Sequence, residues 1–245
     1  VNQGFQTLIN SAITIDKDNI ALGTACIMAF GFHNSWIDAY LLNSSGRATS
    51  GLSALRRAIE FCCYAHKVVD NEKRAVAWMK QQNDAKARKT FSTECAIPLT
   101  YENDKYRALR PLLAAYDFMN YYGAHANLAT IASKNFLKEN DALRMSYQDK
   151  QDLIPGLTMW AVLLGYRGLT VFKKILAPAM SDDKALEETI RYIHETICEA
   201  RMESADYEYK GIIPAHVQKA IRDDDKEEIE RAFEEYINRE KSKKK

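Results

Sequence analysis

Arg56 and Glu60 stand four residues apart inside LSALRRAIEFCCYAHKVVD, residues 52–70, a stretch whose other residues are mostly apolar. On a helix that spacing puts a guanidinium and a carboxylate on one flank, close enough to pair. Two chemistries follow. In one, the pair is closed by a neighbouring helix and ties the fold together. In the other, it lines a polar cavity where Arg56 holds an anion and Glu60 acts as a base or metal ligand. A second group lies in YDFMNYYGAHANLATIA, residues 116–132. His125 follows Tyr122 by three residues and Tyr121 by four, which places it on an aromatic helix face, and Gly123 permits close helix approach. If this helix packs against the first, His125 reaches Glu60 or Arg56. The candidate polar cluster is therefore Arg56, Glu60, Tyr122 and His125. A closed pair and a satisfied core histidine are the plainer structural reading of the same residues.

Other chemistry-bearing groups weigh less. RYIHETICE, residues 191–199, carries Arg191, His194, Glu195 and Glu199, but Ile190, Ile193 and Ile197 make it an ordinary amphipathic helix. Arg167, between Gly165 and Gly168 in the apolar run 157–172, must snorkel to the surface or find a carboxylate such as Glu60 or Asp38. Five cysteines, Cys26, Cys62, Cys63, Cys95 and Cys198, form no C-x-x-C pair, and all but Cys95 sit in apolar helical patterns. Buried free thiols of a reducing cytoplasm are expected. Cys63, three residues before His66, is better read as an inert buried thiol than as a nucleophile.

Several motifs are missing. There is no G-x-x-x-x-G-K-[ST] or G-x-G-x-x-G phosphate cradle, no H-E-x-x-H zinc helix, no G-x-S-x-G elbow and no Glu-x-x-His unit of di-iron bundles. No metal and no cofactor is expected. With 34 basic against 33 acidic residues the net charge is +1, which gives no basic footprint for nucleic acid. The lysines at the C-terminal end suit a solvated helix end.

The elements that must position these residues are helices. Only 10 Gly and 5 Pro occur in 245 residues, and helical apolar spacing runs almost throughout. The pattern predicts an all-α bundle of seven to eight mostly antiparallel helices, at about 3–15, 19–43, 52–70, 71–91, 105–133, 156–177, 182–205 and 214–241. Loops are expected at 43–51, 92–104 and 138–152. GIIP, 211–214, divides a bundle over 1–210 from a charged helix over 211–245. On a wheel, Leu52, Leu55, Ile59, Cys62 and Cys63 share one face of the 52–70 helix and Phe61, Tyr64 and Val68 the other, with Arg56 and Glu60 on a narrow strip between them. Such a helix belongs in the middle of a bundle. The run 157–172 is too short to span a membrane and reads as a core helix, so no membrane association is expected. The first residue is Val1, and what precedes it is open.

Leu55, Arg56 and Glu60, then Trp78, then Tyr122 and His125 follow an order that resembles a broad group of uncharacterised bacterial and archaeal helical domains with an L-R-x-x-x-E helix. The resemblance spans roughly 20–135. It implies an all-helical bundle with a polar cluster in its middle and no particular reaction. The expected function is a non-catalytic protein-interaction or oligomerisation module in the cytoplasm, with an exposed apolar patch. The alternative is an enzyme or small-ligand binder with a cavity around Arg56, Glu60 and His125.

Overall fold

A computed structural model describes residues 1–10, 18–97, 104–122, 134–139, 142–149, 153–180 and 184–206. Among these the fold is all-α, with eight α-helices: α1 (Asn2–Asn10), α2 (Ile20–Ser44), α3 (Ala48–Val68), α4 (Glu72–Lys80), α5 (Ala85–Glu94), α6 (Arg110–Tyr122), α7 (Leu153–Leu176) and α8 (Lys184–Asp206). Two compact units divide the chain, Val1–Ile193 and His194–Lys245. The charged segment 211–245 lies outside the described residues.

Local sequence explains the helix ends. Asn19 caps α2 by accepting from the Leu22 amide, Asn71 caps α4 by accepting from the Arg74 amide, and Asp84 caps α5 by accepting from the Lys86 and Ala87 amides. The Asp84 cap corrects the single helix expected over 71–91, because its side chain satisfies amides that a continuous helix would bond internally. The long helix expected over 105–133 is also different. A 3-10 turn (Asp104–Leu109) leads into α6, which has Pro111 as its second residue. Part of the loop expected at 138–152 is instead a two-stranded antiparallel ladder, β1 (Lys134–Glu139) with β2 (Ala142–Asp149), in which Phe136 pairs with Met145 and Glu139 with Ala142.

α2 and α3 are the central pair. α2 packs on α1, α3, α4 and α7, and α3 also meets α4, α6 and α7. Glycines set how close the helices come. A Cβ at Gly31 would stand 2.7 Å from the Phe61 ring, and one at Gly51 would collide with the Asn43 side chain, so α2 and α3 run in opposite directions. α7 also runs opposite to α2. The Trp36 indole donates to the Ala161 carbonyl at 2.8 Å, and the Asn43 amide donates to that of Leu157 at 3.1 Å. Gly165 and Gly168 leave room for the Trp36 and Phe32 rings; a Cβ at Gly168 would lie 2.0 Å from Phe32. Phe32 stacks on Phe5 at 5.2 Å between centroids and meets Phe172 edge-on at 5.5 Å, which forms the aromatic centre of the core.

α2 is the helix among the described residues that is long and apolar enough to cross a membrane, with a mean hydropathy of 1.3, and 61% of that window is buried within the fold. It is apolar on nearly all sides, as a helix buried by its neighbours must be.

Candidate functional site

α3 is buried on two sides. Leu55, Ile59, Cys62 and Cys63 are fully enclosed and so is Val68, while Phe61 and Tyr64 are half-buried and Arg57 is exposed. Between these faces Arg56 Nε lies 3.2 Å from Glu60 Oε1, an ion-pair distance without hydrogen-bond alignment. The pair is met from α6 by the buried Tyr116. Its hydroxyl donates to Glu60 Oε1 at 3.2 Å and accepts from Arg56 Nη2 at 3.5 Å, and its ring lies 5.4 Å from the guanidinium carbon. Burial works against the Arg56 cation, but the Tyr116 hydrogen bond, with Glu60 and Tyr64 nearby, outweighs it and holds the pKa above the ordinary arginine value. Tyr64 is pushed up to about 12, by burial first and by the Glu60 charge second, so it stays a neutral phenol. The side chains of Arg56 and Glu60 remain 34% and 26% exposed, which makes this a strip at the rim of the α3–α6 contact rather than a sealed charge pair.

One turn and more along α3, a second polar group ties down α4 and α5. Lys67 is buried and donates to the Ala96 carbonyl. Arg74 donates to the Lys67 carbonyl at 3.2 Å, and Glu94 pairs with Lys73 at 2.7 Å and with Arg74 at 3.5 Å. The hydrogen bond from Lys73 lowers the half-buried Glu94 carboxyl below its usual range. The cysteines nearby are not activated. Burial raises the Cys63 thiol to about 12 and the Cys62 and Cys95 thiols in the same direction. A thiol held protonated is a poor nucleophile.

A cleft of about 450 Å³ opens between the end of α3, the Asp104–Leu109 turn and the last turns of α7. His66, Asp70 and Lys174 line it, with the buried Val171 and Ile175 beneath. Arg56 and Glu60 are not among its lining residues. Among the described residues, no group of three or more His, Cys, Asp or Glu side chains is placed to hold a metal ion.

The structure thus brings Arg56 and Glu60 together and adds Tyr116, which sequence reasoning passed over. Tyr122 is the last residue of α6 and its side chain is not described; His125 lies outside the described residues. Arg167 is exposed, its guanidinium 5.9 Å from the Tyr166 ring. Arg191, His194 and Glu195 are exposed as well, on an amphipathic α8 whose Ile193 and Ile197 are buried.

The surface feature that no site reasoning identified is on α2. Ile27 is 53% exposed, Phe30 44% and Leu41 57%, all along one stripe. No family model matches the chain, and no characterised protein and no solved structure matches it.

Proposed function

We propose that this chain is a non-catalytic interaction module that presents the outer stripe of α2 to another polypeptide. The observation that carries the reading is the exposure of Ile27, Phe30 and Leu41 along one stripe of α2, whose opposite arc is buried in the fold. Apolar side chains left exposed together on one helix face mark interaction sites. The Arg56–Glu60–Tyr116 triad supports the same reading, since its partners are supplied from within α3 and α6. The buried free thiols fit a reducing compartment, and we place the module in the cytoplasm.

One observation favours a small-ligand binder instead, the cleft at His66, Asp70 and Lys174. Both readings are tested by Glu60→Ala, Lys174→Ala and wild type in a thermal-shift panel of nucleotides, sugar phosphates and amino acids. As a structural tie, Glu60 contributes one partly exposed ion pair and one hydrogen bond. Glu60→Ala then costs about 1 kcal/mol, or roughly 2–4 °C in melting temperature, and no compound stabilises wild type. A compound that stabilises wild type and is lost in either variant, with the fold intact, overturns the interaction-module reading.

A further inference from the structure

The net charge of +1 conceals a local excess. Residues 72–94 carry six basic side chains against three acidic ones, while 28 basic and 30 acidic side chains remain in the rest of the chain. This segment is the α4–α5 hairpin, and its internal contacts use up some of these charges. Lys73 and Arg74 hold Glu94. Arg88 donates from Nε to the Gln81 carbonyl and from Nη2 to that of Gln82, both at 3.1 Å, which closes the turn. The Asp84 carboxylate accepts the Lys86 and Ala87 amides. Three lysines are left over. Among the described residues, the side chains of Lys80, Lys86 and Lys89 make no ion pair or hydrogen bond.

These lysines lie towards one end of the hairpin. The Lys73–Glu94 contact joins the start of α4 to the end of α5, so the two helices run in opposite directions. Lys80, seven residues after Lys73, is then level with Ala87, seven before Glu94, and stands beside Lys86. Lys86, Lys89 and Thr93 follow gaps of three and four and share one line of α5. That line faces away from the buried Ala87 and Phe91, and Phe91 meets the Tyr64 ring edge-on at 4.9 Å. All three lysines are exposed, as are Gln82 and Asn83 in the turn. Like charges three residues apart on a helix repel, and nothing among the described residues relieves Lys86 and Lys89. We propose that this end of the α4–α5 hairpin binds the phosphate backbone of a nucleic acid without reading its sequence. Lysines and side-chain amides are groups that contact backbone phosphates. None of the three lysines lines the cleft at His66, so a single small anion would meet only exposed charges, which are worth little in water. A polyphosphate gains affinity by releasing its counterions. An acidic polypeptide is better matched by the paired donors of arginine, and Arg74 and Arg88 are both engaged within the fold. A lipid surface needs apolar side chains to enter it, and the exposed face of α5 has none larger than Ala85.

The inference makes no use of the α2 stripe and stands or falls apart from it. Its test is fluorescence anisotropy of the full chain with a labelled DNA duplex of mixed sequence, between about 50 and about 200 mM potassium chloride. Three phosphate contacts give a slope of about −2.7 for log affinity against log salt, so binding should weaken roughly 40-fold across that range. Lys80→Gln, Lys86→Gln and Lys89→Gln should each make the slope shallower by about 1. The triple variant should keep the helical circular dichroism and lose binding, Lys86→Arg should bind as wild type does, and a duplex of different sequence should bind equally well. A triple variant that binds like wild type overturns the proposal, as does wild type that fails to bind at the lowest salt. So does binding that is lost when Lys241, Lys243, Lys244 and Lys245 are changed to Gln, which would move the contact to the terminal lysines. Polyglutamate that competes as well as unlabelled duplex at equal charge overturns it in favour of an acidic polypeptide. Flotation with phosphatidylcholine–phosphatidylglycerol vesicles without binding to the duplex overturns it in favour of a lipid surface.

Discussion

The two faces of α2 are built from similar residues and put to opposite use. Phe32 is fully buried between Phe5 and Phe172, while Phe30, two residues earlier, stands nearly half-exposed. Trp36 lies in the core and Leu41 on the surface. The difference is in what lies opposite. Gly168 and Gly165 of α7 leave hollows into which Phe32 and Trp36 fit, and a carbonyl on α7 accepts the indole proton. The outer stripe meets no such hollow among the described residues. Apolarity makes a face able to be buried; a complementary surface decides whether it is.

The sharpest way to break this comparison is to shorten the same residue type on each face. Phe32→Ala removes a ring from the centre of the aromatic cluster and is expected to cost about 3–5 kcal/mol in urea unfolding. A loss no larger than that of Phe30→Ala would mean that the cluster does not organise the core. Filling the hollow comes next. Gly168→Ala drives a methyl into a ring that has nowhere to move and is expected to cost about 1–3 kcal/mol. Gly31→Ala meets the half-buried Phe61, which can swing towards solvent, so its cost should be smaller. Equal losses from the two glycine variants would sink the idea that fixed rings define the inner face.

Much of this architecture was legible in the sequence, and the exceptions have physical causes. α2, expected at 19–43, is Ile20–Ser44, and α7, expected at 156–177, is Leu153–Leu176, because long apolar periodicity survives local noise. The break between α4 and α5 rests on one side chain, Asp84, within a sequence that is helical in composition on both sides. The Arg56–Glu60 pair could be read from four-residue spacing. Its third member, Tyr116, could not, because spacing within α6 says nothing about which of its faces meets α3. The outer stripe was hidden for a similar reason. α2 is apolar all round, so no wheel separates the side that will be covered from the side that will not.

A third difference between the faces is their response to acid. His33 lies on the inner side, 2.8 Å from the Asn2 side chain and stacked on Phe5 at 5.0 Å. Burial lowers its pKa below the ordinary 6.5. A base whose folded-state pKa is depressed binds its proton more readily in the unfolded chain. Its contribution to stability is therefore full above about pH 6.5 and falls as the pH drops towards the folded value. The slope is at most about 1.4 kcal/mol per pH unit for one proton. Unfolding at pH 7 and pH 5 should show His33→Gln losing less between the two than wild type. An equal loss in the two proteins would place the imidazole in solvent.

The smallest effect on the fold is expected at Phe30, and it is the one that bears on the outer stripe. Phe30→Ala removes a ring that is half in water, so at low protein concentration the melting temperature should correspond to a change within about 0.5 kcal/mol of wild type. Concentration is the informative variable. If a second copy covers this face, folding is coupled to association and the wild-type melting temperature rises with protein concentration. Phe30→Ala should flatten that rise while leaving the dilute value in place. The inner face has no such dependence, because Phe32 meets the same rings at every concentration. A wild type whose melting temperature is independent of concentration would leave the outer stripe without a second copy to cover it. The contrast between the two faces of α2 would then reduce to one packed face and one merely exposed.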